Sequence, residues 1–162
     1  MIVALENIRS LYNVGSILRT ASFFGIERVL LVGYSGRTKN GVNRLHPGVT
    51  KTALGADKDL IIEFLPDSQA LISWAKQNNN GLVAIEQSPQ SIPLSRWRPE
   101  QKSILVFGNE VDGVSPEVLS ASKQLVEIPR KGKKSSLNVS IAAGIVLSRV
   151  YLPASSVGET RK

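Results

Sequence analysis

Six short apolar runs constrain the fold of this chain more than any other feature: Ile2–Leu5, Arg28–Val32, Leu60–Leu65, Leu82–Ile85, Ser103–Phe107 and Leu125–Ile128. They show little polar–apolar alternation, so the strands they form must be covered on both faces. Between several of them, apolar residues recur at helical spacing. Val14, Ile17, Leu18, Ala21 and Phe24 make one such face, and Leu71, Trp74 and Ala75 a second. Val139, Ala142, Ala143, Val146, Leu147 and Val150 make a third. Asn13 reads as the N-cap of the first helix and Gly25 as its C-cap. Pro47 can open a short helix ending near Gly55, and Pro116 another through about Ser122. Residues 88 to 99 read as a Pro-containing connection. Buried strands alternating with helices predict an α/β fold with a mostly parallel sheet flanked by helices.

A chain of 162 residues predicts one domain, large enough to bury its own core. Residues 1–153 are assigned to it. Pro153 stops the last helix, and residues 154–162 are expected to be a flexible tail. There is no Cys and only one His, which excludes disulfides, a thiolate metal site and a His-rich cluster. No metal is expected to be required. No apolar run approaches the ~18 residues of a membrane span. The start, MIVALENIRS, lacks the basic and apolar regions of a secretory signal, so a cytoplasmic protein is expected. The balance of 20 Lys+Arg against 13 Asp+Glu gives a net charge of +7, which favours an anionic partner such as nucleic acid.

Three segments carry candidate chemistry. Asn13 and Arg19 lie on the first helix, six residues apart. That is about one and two-thirds turns, so they do not stack on one face. Gly108-Asn109-Glu110-Val111-Asp112-Gly113 follows a strand and precedes a helix. A nucleotide-binding P-loop would need Lys and then Ser/Thr after the second Gly; here Val114 and Ser115 follow. The third segment, IPRKGKKSSLNVSIAAG, passes from a strand end through Arg130, Lys131, Lys133 and Lys134 to Ser136, Leu137 and Asn138. Polar groups and free backbone N–H groups thus meet where ligands bind in open α/β sheets. Taken singly, Ser136 and Asn138 fit helix caps, Arg19 a solvated arginine, and the basic run a solvated loop.

Together and in order, NVGSILRTASFFG, LVFGNEVDGVS and IPRKGKKSSLNVSIAAG closely resemble the three motifs of the SpoU (TrmH) family of RNA ribose methyltransferases, within the SPOUT class. VTKTALGA, near residues 49 to 56, matches a common linking segment, so the resemblance spans nearly the whole chain. It implies a C-terminal deep trefoil knot, an arrangement that periodicity cannot indicate. It also implies S-adenosyl-L-methionine as cofactor, methylation of a ribose 2′-hydroxyl in tRNA or rRNA, and a homodimer whose RNA site combines two subunits. Cofactor contacts would fall to Ile85, Gly108, Asn109, Gly113, Ile128, Ser136, Leu137 and Asn138, with Glu86 beside Ile85. The catalytic set would be Arg19, Asn13, Glu110, Ser136 and Asn138.

Arg19 ranks first in that set, yet a lone guanidinium is a poor base. It would either lose its proton transiently beside RNA phosphate, or stay charged and stabilise the developing alkoxide. Glu110 is the conventional base candidate, and Asn13 would orient Arg19 or the ribose. RNA contacts are expected from Arg9, Arg19, Arg130, Lys131, Lys133 and Lys134. Arg130 departs from the apolar residue, often Met, that many relatives carry there, which makes the lip of the cofactor turn cationic. The chain starts almost at its first strand, so target choice is expected to come from the catalytic domain and its dimer. The rival reading is an inactive RNA-binding protein of the same fold; retention of Asn13, Arg19, Glu110, Ser136 and Asn138 together argues against it.

Overall fold

The computed structural model describes residues 1–38 and 43–152. Residues 154–162, expected to be a tail, lie outside the described residues, as does Pro153. Among the described residues, seven strands form one sheet in the order β3-β2-β1-β6-β4-β7-β5, and every neighbouring pair is parallel. The strands are β1 (Ile2–Glu6), β2 (Arg28–Val32), β3 (Ile61–Leu65), β4 (Gly81–Ile85), β5 (Ile92–Pro93), β6 (Ser103–Phe107) and β7 (Gln124–Glu127). The helices are α1 (Leu11–Phe23), α2 (Pro47–Ala53), α3 (Ser68–Gln77), α4 (Pro116–Ala121) and α5 (Val139–Tyr151), with a 3-10 turn at Ala56–Lys58.

The unbroken apolar runs have a direct cause. Successive strand side chains point to opposite faces, and both faces are covered. Val3, Leu5, Val29, Leu31, Leu105 and Phe107 pack with α1, α2 and α5. Their neighbours Ala4, Leu30, Val32, Ile104 and Val106 pack with α3 and α4. On the first face α1 and α2 approach so closely that a Cβ on Gly15 would sit 2.6 Å from Cβ of Thr52. The helical faces match expectation: Val14, Ile17, Leu18 and Ala21 of α1 are buried, as are Val139, Ala143, Val146 and Leu147 of α5.

Three expectations need correction. Ser10, not Asn13, is the N-cap of α1, its hydroxyl accepting the Asn13 N–H; the cap position thereby leaves the Asn13 amide side chain available elsewhere. Ser136 caps no helix; Asn138 alone caps α5 by accepting the Ser140 N–H. The 88–99 connection contains a strand, β5, whose Ile92 pairs with Val126 of β7. Two residues ending in Pro carry no readable period, and Pro is tolerated there because β5 is an edge strand.

Candidate active site

All parallel strands deliver their carboxyl ends to one edge, and β6, β4 and β7 are consecutive there. At those three ends lies a cavity of about 480 Å³, within the range of small-molecule sites. Ile85 and Glu86 line it from the end of β4, and Gly108, Asn109, Glu110 and Gly113 from the loop after β6. Ile128, Ser136 and Leu137 line it from the segment after β7, and Val139 and Ala142 from α5. Seven of the eight residues expected at a cofactor are therefore brought to one cavity from three distant parts of the chain. The eighth, Asn138, stands outside the lining and caps α5.

The loop after β6 is a closed turn. Asn109 and Gly113 exchange backbone hydrogen bonds of 2.9 and 3.0 Å. Gly108 lies so close to the Gly113–Val114 peptide that any Cβ would strike backbone atoms. Gly113 has φ +72°, and a Cβ there would strike the Glu86 carboxylate. Asn109 holds the turn from within. Its Oδ1 accepts from the N–H groups of Val111 and Asp112, and its Nδ2 donates to the Asn7 carbonyl and the Tyr34 hydroxyl. Those four bonds exhaust the side chain, so Asn109 meets the cavity as a scaffold. Glu86 braces the same turn by accepting the Val114 N–H at 3.0 Å.

Glu110 points the other way along the edge, to the start of α1. It accepts from the backbone N–H groups of Arg9 (2.9 Å) and Ser10 (3.1 Å) and from Nδ2 of Asn13 (2.8 Å). Asn13 Oδ1 in turn accepts from Nδ2 of Asn138 at 3.2 Å. One chain of contacts thus ties the first, second and third motifs together. Partial burial acts to raise the Glu110 pKa, but the bonds from Arg9, Asn13 and Ser10 outweigh it and hold the carboxyl below its ordinary value. A carboxylate held charged at a helix N-terminus is a weak proton acceptor, which weighs against Glu110 as the base.

Arg19 does not join this group. It is exposed on α1, about 9 Å further along the axis than Asn13, and is not part of the cavity wall. Arg9 is exposed and offers Glu110 its backbone, not its guanidinium. Arg130, Lys133 and Lys134 line the cavity, whereas Lys131 does not; all four are exposed. Among the described residues no group of three His, Asp or Glu converges, and no helix is long and apolar enough to cross a membrane.

Against this geometry, the family model of the "SpoU rRNA Methylase family" matches residues 1–148. The chain belongs to the SpoU rRNA methylase family. It is 30% identical over 147 residues to a tRNA (guanosine(18)-2′-O)-methyltransferase of Aquifex aeolicus, covering 91% of this chain and 66% of the relative. A Borreliella burgdorferi enzyme of the same name is 30% identical over 88% of this chain and 62% of its own length. The chain thus spans just under two thirds of these curated relatives. Among solved structures, an AdoMet-bound rRNA methyltransferase from Sinorhizobium meliloti superposes with a TM-score of 0.80 at 26% identity, over 91% of this chain and 54% of that one. An A. aeolicus TrmH/SpoU tRNA modifying enzyme superposes with a TM-score of 0.77 at 28% identity, over 90% and 71%.

For this SpoU family chain, sequence reasoning missed two roles. Glu86, expected as an alternative to Ile85 for a cofactor contact, braces the 108–113 turn. Tyr34, from the loop after β2, holds Asn109. A carboxylate directly after a buried strand was a signal for Glu86; nothing in the sequence pointed from Tyr34 to residue 109.

Proposed function

We propose that this chain transfers a methyl group from S-adenosylmethionine to a ribose 2′-hydroxyl of RNA, in tRNA or rRNA. The observation that carries this reading is the convergence of Ile85, Gly108, Gly113, Ile128, Ser136 and Leu137 on one cavity at the strand ends. The lining suits that cofactor. Ile85, Ile128, Leu137 and Val139 offer apolar walls, and the Gly108 backbone has no Cβ to obstruct approach. Glu86 and Glu127 also line the cavity, and their negative charge favours a sulfonium and an ammonium there. When bound, the cofactor supplies an electrophilic methyl carbon.

To act as the nucleophile, the ribose hydroxyl must lose its proton. Glu110 is committed to the α1 N-terminus, so Arg19 carries the hydroxyl chemistry. It either takes the proton transiently or, remaining charged, steadies the alkoxide and a neighbouring phosphate while water accepts the proton. Asn13 and Asn138 fix α1 against the cofactor turn. The cationic residues Arg130, Lys131, Lys133 and Lys134, with Arg9, contact the RNA backbone.

Arg19 lies away from the cavity of its own chain, which supports a homodimer in which one subunit's Arg19 serves its partner's cofactor. Phe23 of α1 and Ile141, Ile145 and Leu152 around α5 are exposed and supply an apolar face for it. A trefoil knot is supported by the chain path. α4 packs on one face of the sheet, whereas α5 packs on the other with Leu94 and Trp97 of the 86–102 connection. Residues 1–153 would form a single domain, working in the cytoplasm without a metal.

The test is incubation of the full chain with tritiated S-adenosylmethionine and unmodified tRNA or rRNA, followed by mapping of ribose methylation. Label at one 2′-oxygen supports the function. Cofactor and RNA binding without transfer would instead make the chain an inactive RNA-binding relative.

A further inference from the structure

A second, smaller cavity of about 200 Å³ opens on the same edge, lined by Glu6, Asn7, Tyr34, Asp112, Ser115 and Pro116 and sharing Asn109 and Gly113 with the first. Its position follows from the topology. β1 and β6 are neighbours, but the chain leaves β1 for α1 on one face and leaves β6 for α4 on the other. Loops that part in opposite directions open a crevice, and in open α/β sheets that switch point is where ligands bind. The cofactor cavity, at β6, β4 and β7, leaves it free.

We infer that this crevice binds a nucleobase of the RNA substrate, with Tyr34 as its stacking surface and Asp112 as an acceptor for base N–H groups; this rests on the proposed RNA methyltransferase function. Tyr34 is 53% exposed, yet its hydroxyl takes a 2.7 Å hydrogen bond from Asn109, so the ring is held in place while open to solvent. The floor is acidic. Glu6 is 1% exposed, and its carboxylate accepts from the hydroxyls of Ser68 and Ser115 and from the Ser115 N–H. Asp112 stands exposed at the rim, with no side-chain hydrogen bond among the described residues. Two carboxylates repel phosphate. They suit instead a flat, uncharged ligand that offers N–H donors and a π-face, which describes a nucleobase edge. The basic residues lie across the 109–113 turn in the other cavity, so the RNA backbone and the base fall on separate sides of one wall.

The experiment compares the full-length wild type with Tyr34→Ala, Tyr34→Phe and Asp112→Asn, using the tRNA or rRNA transcript that accepts label and tritiated S-adenosylmethionine. Tyr34→Ala should lower kcat/KM for RNA about tenfold, the size expected for removal of one stacking interaction. Tyr34→Phe should stay within about threefold, because the ring remains. Asp112→Asn should weaken discrimination among transcripts altered at single bases around the methylated nucleotide. Cofactor affinity, read by calorimetry, should stay unchanged in Asp112→Asn and should match between Tyr34→Ala and Tyr34→Phe, which both lose the bond to Asn109. If Tyr34→Phe is as impaired as Tyr34→Ala, the hydroxyl merely braces Asn109 and the stacking role falls. If an active wild type is matched by both Tyr34→Ala and Asp112→Asn, the crevice is not a base site. A wild type that methylates no RNA removes the proposed function itself, and the inference with it.

Discussion

The Glu110 carboxylate and the Asn13 amide lie 2.8 Å apart, although 97 residues separate them in the chain. This contact, with the bonds from Arg9 and Ser10, makes Glu110 a cap for α1 supplied by another loop. Its removal should expose N–H groups at a helix N-terminus, costing about 1–2 kcal/mol. Glu110→Ala should therefore lower Tm by about 2–8 °C, measurable by circular dichroism. The same carboxylate sets a pH dependence. Its folded pKa lies below the ordinary 4.5 because the bonds from Arg9, Asn13 and Ser10 overcome partial burial. A depressed carboxyl pKa contributes stability that is fully present above the unfolded value and is lost as pH falls through the folded one. The stability difference between wild type and Glu110→Gln, from urea unfolding, should be constant from pH 6 to 8 and shrink below about 4.5. A difference that grew on acidification would have the wrong sign. A limb of the pH–rate profile near neutrality that vanished in Glu110→Gln would restore the carboxyl as a base.

Gly108 and Gly144 should respond to alanine in opposite directions. At Gly108 a Cβ would strike the backbone of Gly113 and Val114, whereas at Gly144 nothing lies within 4 Å. Gly108→Ala must deform the cofactor turn and should abolish S-adenosylmethionine binding in calorimetry. Gly144→Ala, in the interior of α5, should leave binding intact and raise stability by about 0.5–1 kcal/mol. Equal effects would place the Gly108 constraint elsewhere.

What could be read before the structure, and what could not, follows from the range of the forces involved. Buried strands and helical faces are local, periodic consequences of burial, so Arg28–Val32 and Val139–Leu147 announced themselves. The residues that share the strand-end cavity were legible because motif order marked them. The direction in which Glu110 points was not, since its partners Arg9, Ser10 and Asn13 lie about 100 residues away. β5 escaped because Ile92 and Pro93 form a strand only by leaning on Val126. Tyr34 escaped because its partner, Asn109, is fixed by tertiary contact alone.

The basic segment gives a prediction about salt. Lys133 and Lys134 line the strand-end cavity, and Lys131 is not part of its lining. Deleting one lysine–phosphate pair should reduce the slope of log K against log salt by about 0.7–0.9. The triple variant Lys131→Ala, Lys133→Ala and Lys134→Ala should therefore bind RNA more weakly in filter assays and show a slope shallower by up to about 2–3. An unchanged slope would assign these residues to solvent.

Arg19 allows binding and transfer to be separated. It is exposed and outside the cofactor wall, so Arg19→Ala should abolish methylation while calorimetric cofactor affinity stays within about twofold, less than 0.5 kcal/mol. Arg19→Lys should not restore the rate, because an ammonium lacks the planar fork that engages phosphate and oxyanion together. Loss of cofactor binding in Arg19→Ala would make the residue structural.

The proposed dimer can be tested on α5. Ile141 and Ile145 are one turn apart and 53% and 37% exposed, and buried Ala143 and Val146 face the sheet from the same helix. A carboxylate introduced on the exposed side therefore meets water in a monomer but would be desolvated in a dimer. Ile145→Asp should sediment as a monomer, with cofactor affinity retained and methyl transfer reduced at least tenfold, about 1.4 kcal/mol in barrier. Mixing it with Arg19→Ala then probes the division of labour. If one subunit's Arg19 serves its partner's cofactor, a heterodimer that forms at high concentration should regain transfer at the one site whose arginine and cofactor wall are both intact. If Arg19 acts within its own chain, monomeric Ile145→Asp should instead keep nearly full activity, and the apolar face of α5 would have no part in the chemistry.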